Sequence, residues 1–517
     1  MLWFATLPAS DPRARGKRRV DVDPDGVGTL VLSDRQEAEM AQTQTITVAM
    51  GDGIGPEVME ATLAIFRAAK VPLRYEVVPM GRKVAEGGEP SGIAADARDS
   101  VERTGILFKG PMETPKGKGY KSVNVTARKL WGAFANKRVY RKLRGVPIPV
   151  QIRGELNLTM VRENIEDTYG AVEHMQTHDV AQCRRFITRP GSQQVHRYTF
   201  EMAQRKGAKR VTCAHKANIM KMTDGLFLET FYEVAKDYPQ ITADDVMVDA
   251  LAMRLVLDPA SYDVIVLPNL QGDILTDLAA GLVGGLAYAP SANIGDGICI
   301  FEAVHGTAPD IVGQNLANPT ALLLSGTMML RHLGLERHAT VIEDALEKTL
   351  DRMHTRPDLG QPIPIFRTSR FTELMLSHLQ DSPTITGAPS APLVAKRQDP
   401  KMMVTPTPDR IVLLGVDVFL ESGLAPRAIA ELLEPLGREG LRLTMISNRG
   451  TQVWPTGSPH TDCVNHYRAR FESEQPLDQR ALIALLERVA DVFPICSSEW
   501  LREIGGMRGY SLAQGQG

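Results

Sequence analysis

Three arginines stand among small polar residues in the first third of the chain. The segment KSVNVTARKLWGAFANKR carries Ser122, Asn124, Arg128 and Arg138, and Arg162 follows in MVRENIEDTYG. A guanidinium group stays charged at any working pH and can bind a carboxylate through two parallel hydrogen bonds. Three converging arginines would therefore bind a small polycarboxylate. The alternative is that they are solvated surface residues, as most charged side chains are.

Two aspartates have a spacing that suits a divalent metal ion. In NLQGDILTDLAAGL, Asp273 and Asp277 stand four residues apart, so a helix would present both carboxylates on one face. Magnesium prefers oxygen ligands and is commonly bound by a few carboxylates together with substrate and water. Asp249, in MVDALAM, is a possible third ligand. The alternative is an acidic helix face near an N-terminus, which the helix dipole favours.

A glycine- and proline-containing turn offers a third candidate site. The segment FEAVHGTAPDIVGQNLANPTALL places His-Gly-Thr-Ala-Pro between a strand-like stretch and a helix-like stretch. Backbone amides and small side chains in such a turn allow a ligand to approach closely. The alternative is an ordinary loop.

The GDGIGPEV turn near residue 51 is close to a dinucleotide-binding motif without matching it. Gly51, Gly53 and Gly55 do not have the G-x-G-x-x-G spacing, and Pro56 follows directly. We therefore predict a tight turn between a strand at Thr45–Met50 and a helix at Val58–Ala69, and not a Rossmann phosphate loop.

The elements that must position these residues alternate along the chain. Short apolar runs such as RVTCAHKAN and YDVIVLP are separated by helical stretches, which predicts an α/β fold with substantial parallel sheet. A proline-rich stretch at residues 381–408 reads as a linker. Beyond it, residues 409–517 show strand and helix patterns typical of a small α+β domain. Residues 1–39 look foreign to the rest, and we expect them to be disordered or to stem from a misassigned start upstream of Met40.

Composition excludes several classes of function. The formal net charge is −2, which gives no electrostatic reason to expect a nucleic acid or an anionic membrane as partner. No apolar run approaches the roughly 20 residues that span a bilayer. The five cysteines are scattered without a C-x-x-C pair, which is typical of a reducing compartment and predicts a cytoplasmic location.

Taken together, the motifs resemble the β-decarboxylating dehydrogenases, the isocitrate, isopropylmalate and homoisocitrate dehydrogenase family. The resemblance covers about residues 44–380 and rests on several long motifs in the family's order. These are GDGIGPEV, KGPMETP, KSVNVTARK, VRENIEDTYGAVEH, HKANIMK, NLQGDILTDLAAGLVGGLAYAPSANIG and FEAVHGTAPDIVGQNLANPTA. Past the linker, VDVFLESGLAP, MISNRGTQVWP and HYRARF resemble the C-terminal extension of the longer bacterial members, of the Thermus type.

The resemblance implies a two-domain fold around a cleft, distinct from the Rossmann fold. Residues 40–133 and 284–380 would form a large domain with the cofactor site, and residues 134–283 a small domain with a dimerisation clasp. Matching positions imply substrate binding by Ser122, Asn124, Arg128, Arg138 and Arg162. They imply metal binding by Asp249, Asp273 and Asp277, and proton transfer by Tyr169 and Lys216. In the family, Lys216 and Asp249 would come from the neighbouring subunit, so a homodimer or a higher homo-oligomer is expected.

The implied activity is oxidative decarboxylation of isocitrate to 2-oxoglutarate and CO2 with Mg²⁺ or Mn²⁺. Ser122 and Asn124 suit a third carboxylate better than an alkyl group. We predict NAD as cofactor because Asp310 and Ile311 stand where NADP-dependent relatives have Lys-Tyr, and an aspartate would repel a 2′-phosphate. The other matching cofactor positions are Thr114, Asn218, His305, Gly306, Thr307, Ala308 and Asn318.

Two alternatives stay open at this point. One is a homoisocitrate or 3-isopropylmalate dehydrogenase, since one methylene is worth only about 1–3 kcal/mol of discrimination. The other is a non-catalytic regulatory subunit, which should have lost metal or proton-transfer residues that this chain retains. Glu113 departs from the threonine that many relatives carry, with no evident consequence.

Overall fold

The computed structural model describes residues 43–115, 120–354, 366–380, 408, 410–457 and 460–513. Two expectations lie outside these ranges. They are the foreign segment at residues 1–39 and, residue 408 aside, the linker at residues 381–408.

Twelve strands precede the linker within the described ranges, and ten of them form one sheet. The strands are β1 Gln44–Ala49, β2 Leu73–Val77, β3 Ile106–Lys109, β4 Ala135–Arg141, β5 Asn157–Glu163, β6 Asp167–Met175, β7 Ala181–Phe186, β8 Arg210–His215, β9 Thr242–Met247, β10 Val264–Leu267, β11 Pro290–Ile294 and β12 Cys299–Ala303.

Helices cover both faces of this sheet. They are α1 Gly55–Ala68, α2 Arg82–Glu86, α3 Ala95–Thr104, α4 Val123–Leu130, α5 Arg189–Lys206, α6 Thr223–Ala235, α7 Val248–Leu257, α8 Asn269–Leu282, α9 Thr320–His332, α10 Glu336–His354 and α11 Thr368–Gln380. The predicted strand, turn and helix around GDGIGPEV are confirmed as β1 and α1. Pro56 lies in the first turn of α1, where its missing N–H costs no helix hydrogen bond.

The sheet has a mixed centre that sets it apart from a Rossmann fold. Its strand order is β2-β1-β3-β12-β11-β4-β5-β10-β8-β9. The outer pairs are parallel, whereas β11 and β4 run antiparallel to each other and to their outer neighbours. The prediction of an α/β architecture distinct from the Rossmann fold is therefore confirmed.

Each half of the sheet has its own apolar core. Strands β1, β3 and β12 pack with α1, α9, α10 and α11, around Phe66, Phe108 and Phe371. Strands β5, β8 and β10 pack with α5 and α6 on one face, around Phe200 and Phe231. The central strands β4 and β11 join the two halves, so clefts form above and below them.

A two-stranded hairpin, β6 and β7, stands outside the main sheet. Several of its side chains are exposed, including Met175 and Phe186. We call it the clasp hairpin, residues 167–186.

A second sheet follows the linker. Its strands are β13 Ile411–Glu421, β14 Arg442–Asn448, β15 Thr451–Trp454, β16 His466–Glu472, β17 Ile495–Ile504 and β18 Met507–Arg508, and its helices are α12 Pro426–Leu433 and α13 Gln479–Ala490. The strands pair antiparallel in the order β15-β14-β16-β13-β17-β18, and the two helices pack on the sheet around a separate apolar core. The predicted α+β domain is confirmed.

The C-terminal domain contacts the clasp hairpin of the same chain. The Thr177 hydroxyl donates to Asn465 Oδ1 at 3.1 Å, and the Ser497 hydroxyl donates to Gln176 Oε1 at 3.0 Å. Arg184 forms an ion pair with Glu499 at 3.0 Å. The domain is therefore attached to the hairpin by side-chain contacts.

All five cysteines lie in the described ranges and are free thiols. None of the helices described is both long enough and apolar enough to cross a membrane.

Candidate active site

A cavity of about 320 Å³ lies above the central strands and brings several predicted residues together. Asn124 and Arg128 enter it from α4, Arg138 from β4, and Glu302 from β12. The loops at residues 111–114 and 303–307 close its other side. Two of the three predicted substrate arginines, Arg128 and Arg138, therefore share one pocket with Thr114, His305, Gly306 and Thr307.

Local folding explains how α4 presents its side chains. The Ser122 hydroxyl caps α4 by accepting from the Val125 N–H, and it shares a 2.9 Å hydrogen bond with Thr114. Asn124 and Arg128 are one helical turn apart and so lie on the same face. Asn124 Oδ1 is buried with no hydrogen-bond partner in the described part of the chain. Such an atom is ready to accept a hydrogen bond from a ligand.

The other two arginines come from neighbouring antiparallel strands. Arg138 and Arg162 are almost fully buried, at 4% and 1% exposed. Arg138 Nε donates to Asn136 Oδ1 at 2.8 Å, and Arg162 Nε donates to Asn269 Oδ1 at 3.0 Å. These amides hold the guanidinium groups in place without neutralising them.

The three arginines are close enough to repel one another. Burial, and the charges of Arg128 and Arg138, lower the pKa of Arg162 to about 10. An anion bound among them would relieve that repulsion. Arg128 and Arg138 thus line the cavity, and Arg162 lies close enough to interact with both through its charge.

Two acidic side chains on α8 face the same arginines. Arg138 Nη1 donates to Asp277 Oδ1 at 3.0 Å, and Arg138 Nη2 lies 3.5 Å from Asp273 Oδ1. Arg162 also forms an ion pair with Asp273. The helix therefore presents both carboxylates on one face, as the spacing predicts.

Tyr169 is fixed against this cluster. Its hydroxyl donates to Asp273 Oδ2 at 2.6 Å, and the Arg162 guanidinium carbon lies 4.7 Å from the centre of its ring. Burial, with the hydrogen bond to Asp273, raises the pKa of Tyr169 against the opposing charge of Arg162. Burial of Asp273 acts to raise its pKa, but the Arg162 charge and the Tyr169 bond hold that pKa below its usual value.

A buried ion-pair group beneath the pocket was not predicted. Lys109 Nζ lies 2.5 Å from Glu302 Oε2, and Arg128 Nη2 donates to Glu302 Oε1 at 2.9 Å. Burial acts to raise the pKa of Glu302, but Lys109 and Arg128 hold it far below its usual value. Glu302 therefore orients Arg128 from below. The only signal in the sequence is a single charged residue in each of two apolar strands, ILFK and CIFEA.

A second unpredicted group connects the segments that carry the proton-transfer candidates. Arg185 forms ion pairs with Asp167 at the start of β6 and with Asp224 in α6. Asp224 Oδ2 accepts from the Lys216 N–H at 2.6 Å, and Asp167 Oδ2 accepts from the Leu270 N–H at 3.0 Å. One guanidinium thus links the Tyr169 strand, the Lys216 turn and helix α8. The residues of this ion-pair group are too far apart along the chain for the sequence alone to reveal that they meet.

The GDGIG turn supports the HGTAP loop. The Ile54 N–H donates to the Thr307 carbonyl at 3.0 Å, and a Cβ on Gly53 would lie 2.2 Å from that oxygen. Gly53 has φ +58°, and Ala308 in the loop has φ +41°. His305 Nε2 is buried without a partner in the described ranges, and burial lowers the pKa of His305, which keeps the ring neutral.

The remaining predicted cofactor residues lie further along this loop, with one exception. Asp310 and Ile311 form a short 3-10 turn, and Asp310 is exposed. Asn318 Oδ1 accepts from the Thr320 N–H at 3.0 Å at the start of α9. Asn218 instead lies on the exposed turn beside Lys216.

Lys216 and Asp249 form a separate pair. Lys216 Nζ lies 2.6 Å from Asp249 Oδ1, and the Asp249 side chain is 67% exposed. Across the ranges that the structure describes, no three potential metal ligands gather within a single chain. Asp249 therefore does not join Asp273 and Asp277 in one copy of the chain.

Comparison with known proteins agrees with this geometry. The family model described as "Isocitrate/isopropylmalate dehydrogenase" matches residues 45–375, and that of the "Bacterial isocitrate dehydrogenase, C-terminal domain" matches residues 412–516. The chain belongs to the isocitrate/isopropylmalate dehydrogenase family and has the C-terminal domain of its bacterial isocitrate dehydrogenase branch. The predicted resemblance is confirmed.

Individual relatives are similar over most of the chain. Isocitrate dehydrogenase [NADP] of Thermus thermophilus is 45% identical over 478 residues, which are 91% of this chain and 96% of the relative. The Rickettsia bellii protein of the same name is 39% identical, over 92% and 100%. The crystal structure of the TT0538 protein from Thermus thermophilus superposes with a TM-score of 0.84 at 42% identity, over 96% of this chain and 98% of that one.

These relatives overturn the predicted cofactor. The Thermus thermophilus relative and the Rickettsia bellii and Rickettsia felis relatives, which match more than nine-tenths of this chain, carry NADP in their names, and this contradicts the prediction of NAD from Asp310. A shorter match, the NAD-dependent isocitrate dehydrogenase subunit 2 of Schizosaccharomyces pombe, is 46% identical over 59% of this chain and 80% of its own length. The prediction rested on the charge of a single exposed side chain, that of Asp310.

Proposed function

We propose that this chain is an isocitrate dehydrogenase that oxidatively decarboxylates isocitrate to 2-oxoglutarate and CO2, with NADP and with Mg²⁺ or Mn²⁺. The observation that carries the proposal is that Arg128, Arg138 and Asn124 line one cavity, with the Arg162 guanidinium close enough to interact electrostatically with both arginines. Three guanidinium groups match the three carboxylates of isocitrate. A pocket built from them would reject an alkyl-bearing substrate, because its buried donors would stay unpaired.

The acidic residues fit a divalent metal ion. Asp273 and Asp277 offer the oxygen ligands that magnesium and manganese prefer, and in the ligand-free chain their charges are balanced by Arg138 and Arg162. Asp249 of a second copy would complete the set. Held by these carboxylates, the ion would supply Lewis-acid polarisation of a substrate oxygen, and the dinucleotide would supply the hydride acceptor.

The chain's own residues supply binding and proton transfer. The arginines hold the carboxylates and align the substrate before reaction. Lys216 would take the hydroxyl proton at its Nζ as it passes one of its own protons to the Asp249 carboxylate, 2.6 Å away. Tyr169 stays protonated because of its raised pKa, and it donates that proton to the carbon that has lost CO2.

Selection of NADP requires positive charge near the loop that carries Asp310. The Gln314 side chain donates to the backbone carbonyl of Asp310 at 2.7 Å, and Arg367 Nη1 donates to the backbone carbonyl of Gln314 at 3.3 Å. Arg367 is exposed. It is therefore a cation available to a 2′-phosphate at this end of the loop.

A steady-state comparison tests the proposed reaction. We expect turnover of isocitrate with NADP and Mg²⁺, far slower turnover with NAD, and none with 3-isopropylmalate or without a divalent ion. Homoisocitrate serves as the closer control, since it differs by one methylene. A preference for NAD would overturn the cofactor, and a preference for another acid would overturn the substrate.

A homodimer with shared active sites would bring the two groups of residues together. Helices α7 and α8, which carry Asp249, Asp273 and Asp277, pack against each other and expose large apolar side chains. These include Met253 at 57%, Leu257 at 69% and Ile274 at 60% exposed. Apolar side chains exposed in this number are typical of a subunit interface. We therefore infer that a second copy covers these helices.

The predicted domain limits, with the large domain at residues 40–133 and 284–380 and the small domain at 134–283, stay proposals. So does a cytoplasmic location, which rests on the sparse free cysteines.

A further inference from the structure

A second, larger cavity lies on the opposite face of the sheet from the candidate active site. Its volume is about 1110 Å³, above the roughly 300–1,000 Å³ typical of ligand pockets. Its walls are α5 from one domain and α9 and α10 from the other, and its floor is formed by the central strands. We call it the rear cavity.

Strand alternation separates the two cavities. Successive residues of a strand point to opposite faces. Arg138, Ser291 and Glu302 line the active-site pocket, whereas their neighbours Lys137, Ala292 and Phe301 line the rear cavity. The rear cavity is thus a separate site that shares only its floor with the first.

Positive charge gathers at one end of the rear cavity. Lys137 lies on the floor, and Arg205 and Lys206 lie in the last turn of α5. Within the described ranges, neither Lys137 nor Arg205 has a carboxylate at ion-pair distance, and Lys206 Nζ contacts only the Asn157 carbonyl at 2.7 Å and the Thr159 hydroxyl at 3.0 Å. Burial, with the charges of Lys206 and Arg205, lowers the pKa of Lys137 to about 8.

A histidine at the same end also lacks a partner. His332 Nε2 is buried with no hydrogen bond in the described part of the chain, and its ring packs on Phe301. Burial, with the charges of Lys137 and Arg205, lowers its pKa to about 4, so the ring is neutral at pH 7.

Other roles do not account for these groups. The last turn of a helix favours cations, which explains the position of Arg205 and Lys206. The charge of Asp263 acts on Lys206, but no carboxylate in the described ranges forms an ion pair with either cation. The cavity has acids too, but several are already engaged: Glu343 with Arg141 and Arg331, and Asp296 with Gln194. Glu155 and Glu201 also line the wall, yet neither forms an ion pair with these cations.

Part of the remaining lining is aromatic or aliphatic. The side chains that form it are Phe134, Tyr198, Ile294, Phe301, Leu324 and Met328. A free phosphate or pyrophosphate would fill only a small part of this volume. An occupant that matches both the three cations and this wall carries negative charge and has an aromatic or apolar body.

We propose that the rear cavity binds a phosphorylated organic anion of the nucleoside diphosphate type, with its phosphates on Lys137, Arg205 and Lys206 and its ring on the apolar wall. Lysine and arginine are the usual phosphate-binding side chains, and three such cations match the charge of a diphosphate. His332 Nε2 would form a further hydrogen bond with the ligand. This inference goes beyond the proposed dehydrogenase reaction and does not rest on it.

Calorimetric titration of the full chain tests the site with two probes, inorganic pyrophosphate and cytidine 5′-diphosphate. The second has a base unlike the adenine of a dinucleotide. We expect both to bind, with the nucleotide tighter. In a Lys137→Met/Arg205→Met variant we expect affinity for both to fall about tenfold or more. An Arg162→Met variant, which loses a cation from the opposite face, and an exposed Arg427→Met variant should bind both probes as the parent chain does.

Several results would overturn the proposal. Binding that falls in Arg162→Met and not in the double variant places the anion in the active-site pocket. If pyrophosphate binds as tightly as cytidine 5′-diphosphate, the apolar wall contributes nothing to binding, and the proposed ring of the ligand is excluded. As a check on folding, the double variant should have a higher thermal midpoint without anion, since it removes unpaired like charges, and should lose the rise that pyrophosphate causes in the parent chain. A midpoint that still rises with pyrophosphate counts against the site.

Discussion

At the scale of single residues, Tyr169 has the clearest chemical role. It donates a 2.6 Å hydrogen bond to Asp273 and its pKa is raised, so it is a neutral proton donor beside the arginines. We expect Tyr169→Phe to lower kcat by about 10²- to 10⁴-fold, the usual contribution of a general acid. The KM for isocitrate should change little, because the carboxylates are bound elsewhere. Steady-state kinetics measures both.

A tyrosine outside the site provides the matched control for that change. The Tyr510 hydroxyl donates to Glu472 at 2.8 Å in the C-terminal domain. Tyr510→Phe removes the same atom and should leave kcat intact. A Tyr169→Phe enzyme that retained full kcat would remove Tyr169 from the mechanism.

Glu302 gives a prediction about stability. Its carboxylate balances Lys109, which is 1% exposed, and also orients Arg128. Glu302→Gln leaves a buried cation without its partner, and we expect it to reduce the free energy of unfolding by about 3–5 kcal/mol. Urea unfolding measures the loss. A Lys109→Met/Glu302→Gln double variant should recover part of it, and a double variant less stable than the single one would contradict this reasoning.

The pH dependence of the same carboxylate follows from the direction of its shift. The folded-state pKa of Glu302 lies below the unfolded value of 4.5, so its contribution is complete above that value and is lost only as pH falls through the lower, folded pKa. We therefore expect the stability difference between parent and Glu302→Gln to stay constant between pH 8 and pH 5. A difference that shrank steadily across this interval would show that Glu302 is not held in its charged form.

Residue types and spacing predicted some of these roles but not others. Asp273 and Asp277 could be predicted because a helix places residues four apart on one face. Lys109 and Glu302 could not, because a single charge in an apolar strand does not show what faces it across the sheet. The cofactor prediction failed for a related reason: Asp310 was weighed alone, whereas Arg367 comes near its loop only through folding.

At the scale of elements, the GDGIG turn acts as a support and not as a phosphate loop. Because a Cβ on Gly53 would meet the Thr307 carbonyl, Gly53→Ala must displace the HGTAP loop. We expect the KM for NADP to rise about tenfold, with a smaller change in the KM for isocitrate, since small displacements of binding groups are costly.

A Gly88→Ala variant separates displacement of the HGTAP loop from the effect of backbone strain. It also has a positive φ, +106°, but an added Cβ would meet nothing within 4 Å. Gly88→Ala should destabilise the chain without changing the KM for NADP. Equal effects of the two substitutions on that KM would mean that the contact with Thr307 does not matter.

Much of the element pattern could be predicted, but the strand order could not. Strand β1 and helix α1 follow from local apolar spacing and from Pro56. The antiparallel pairing of β4 with β11 joins segments about 150 residues apart, and no local pattern records which strands will be neighbours.

At the scale of the whole molecule, hybrid dimers can show whether active sites are shared. A Lys216→Met chain and an Arg128→Met chain should each be inactive alone. If Lys216 serves the neighbouring subunit, each hybrid has one site with both changes and one with neither. Co-expression should then restore about one quarter of the parent activity, since half of the dimers are hybrids with one working site each. A mixture that stays inactive would place both residues in a site built by one chain.

The C-terminal domain gives a prediction about assembly. It contacts the clasp hairpin through Asn465, Ser497 and Glu499. We expect a chain that ends before residue 409 to have a lower thermal midpoint, measured by calorimetry, or fewer subunits per oligomer, measured by light scattering. An unchanged midpoint and an unchanged number of subunits would show that the domain has no part in holding subunits together.

The ten-stranded sheet has one further consequence, because its central strands belong to both cavities at once. A bend of that common floor that narrows one cavity must widen the other. An occupant of the proposed rear site that prefers one width of that cavity would therefore shift the affinity of the candidate active site for its proposed substrate, isocitrate. Isocitrate would shift the affinity for that occupant by the same factor. Two ligands that never touch would be linked in this way through the curvature of a single sheet.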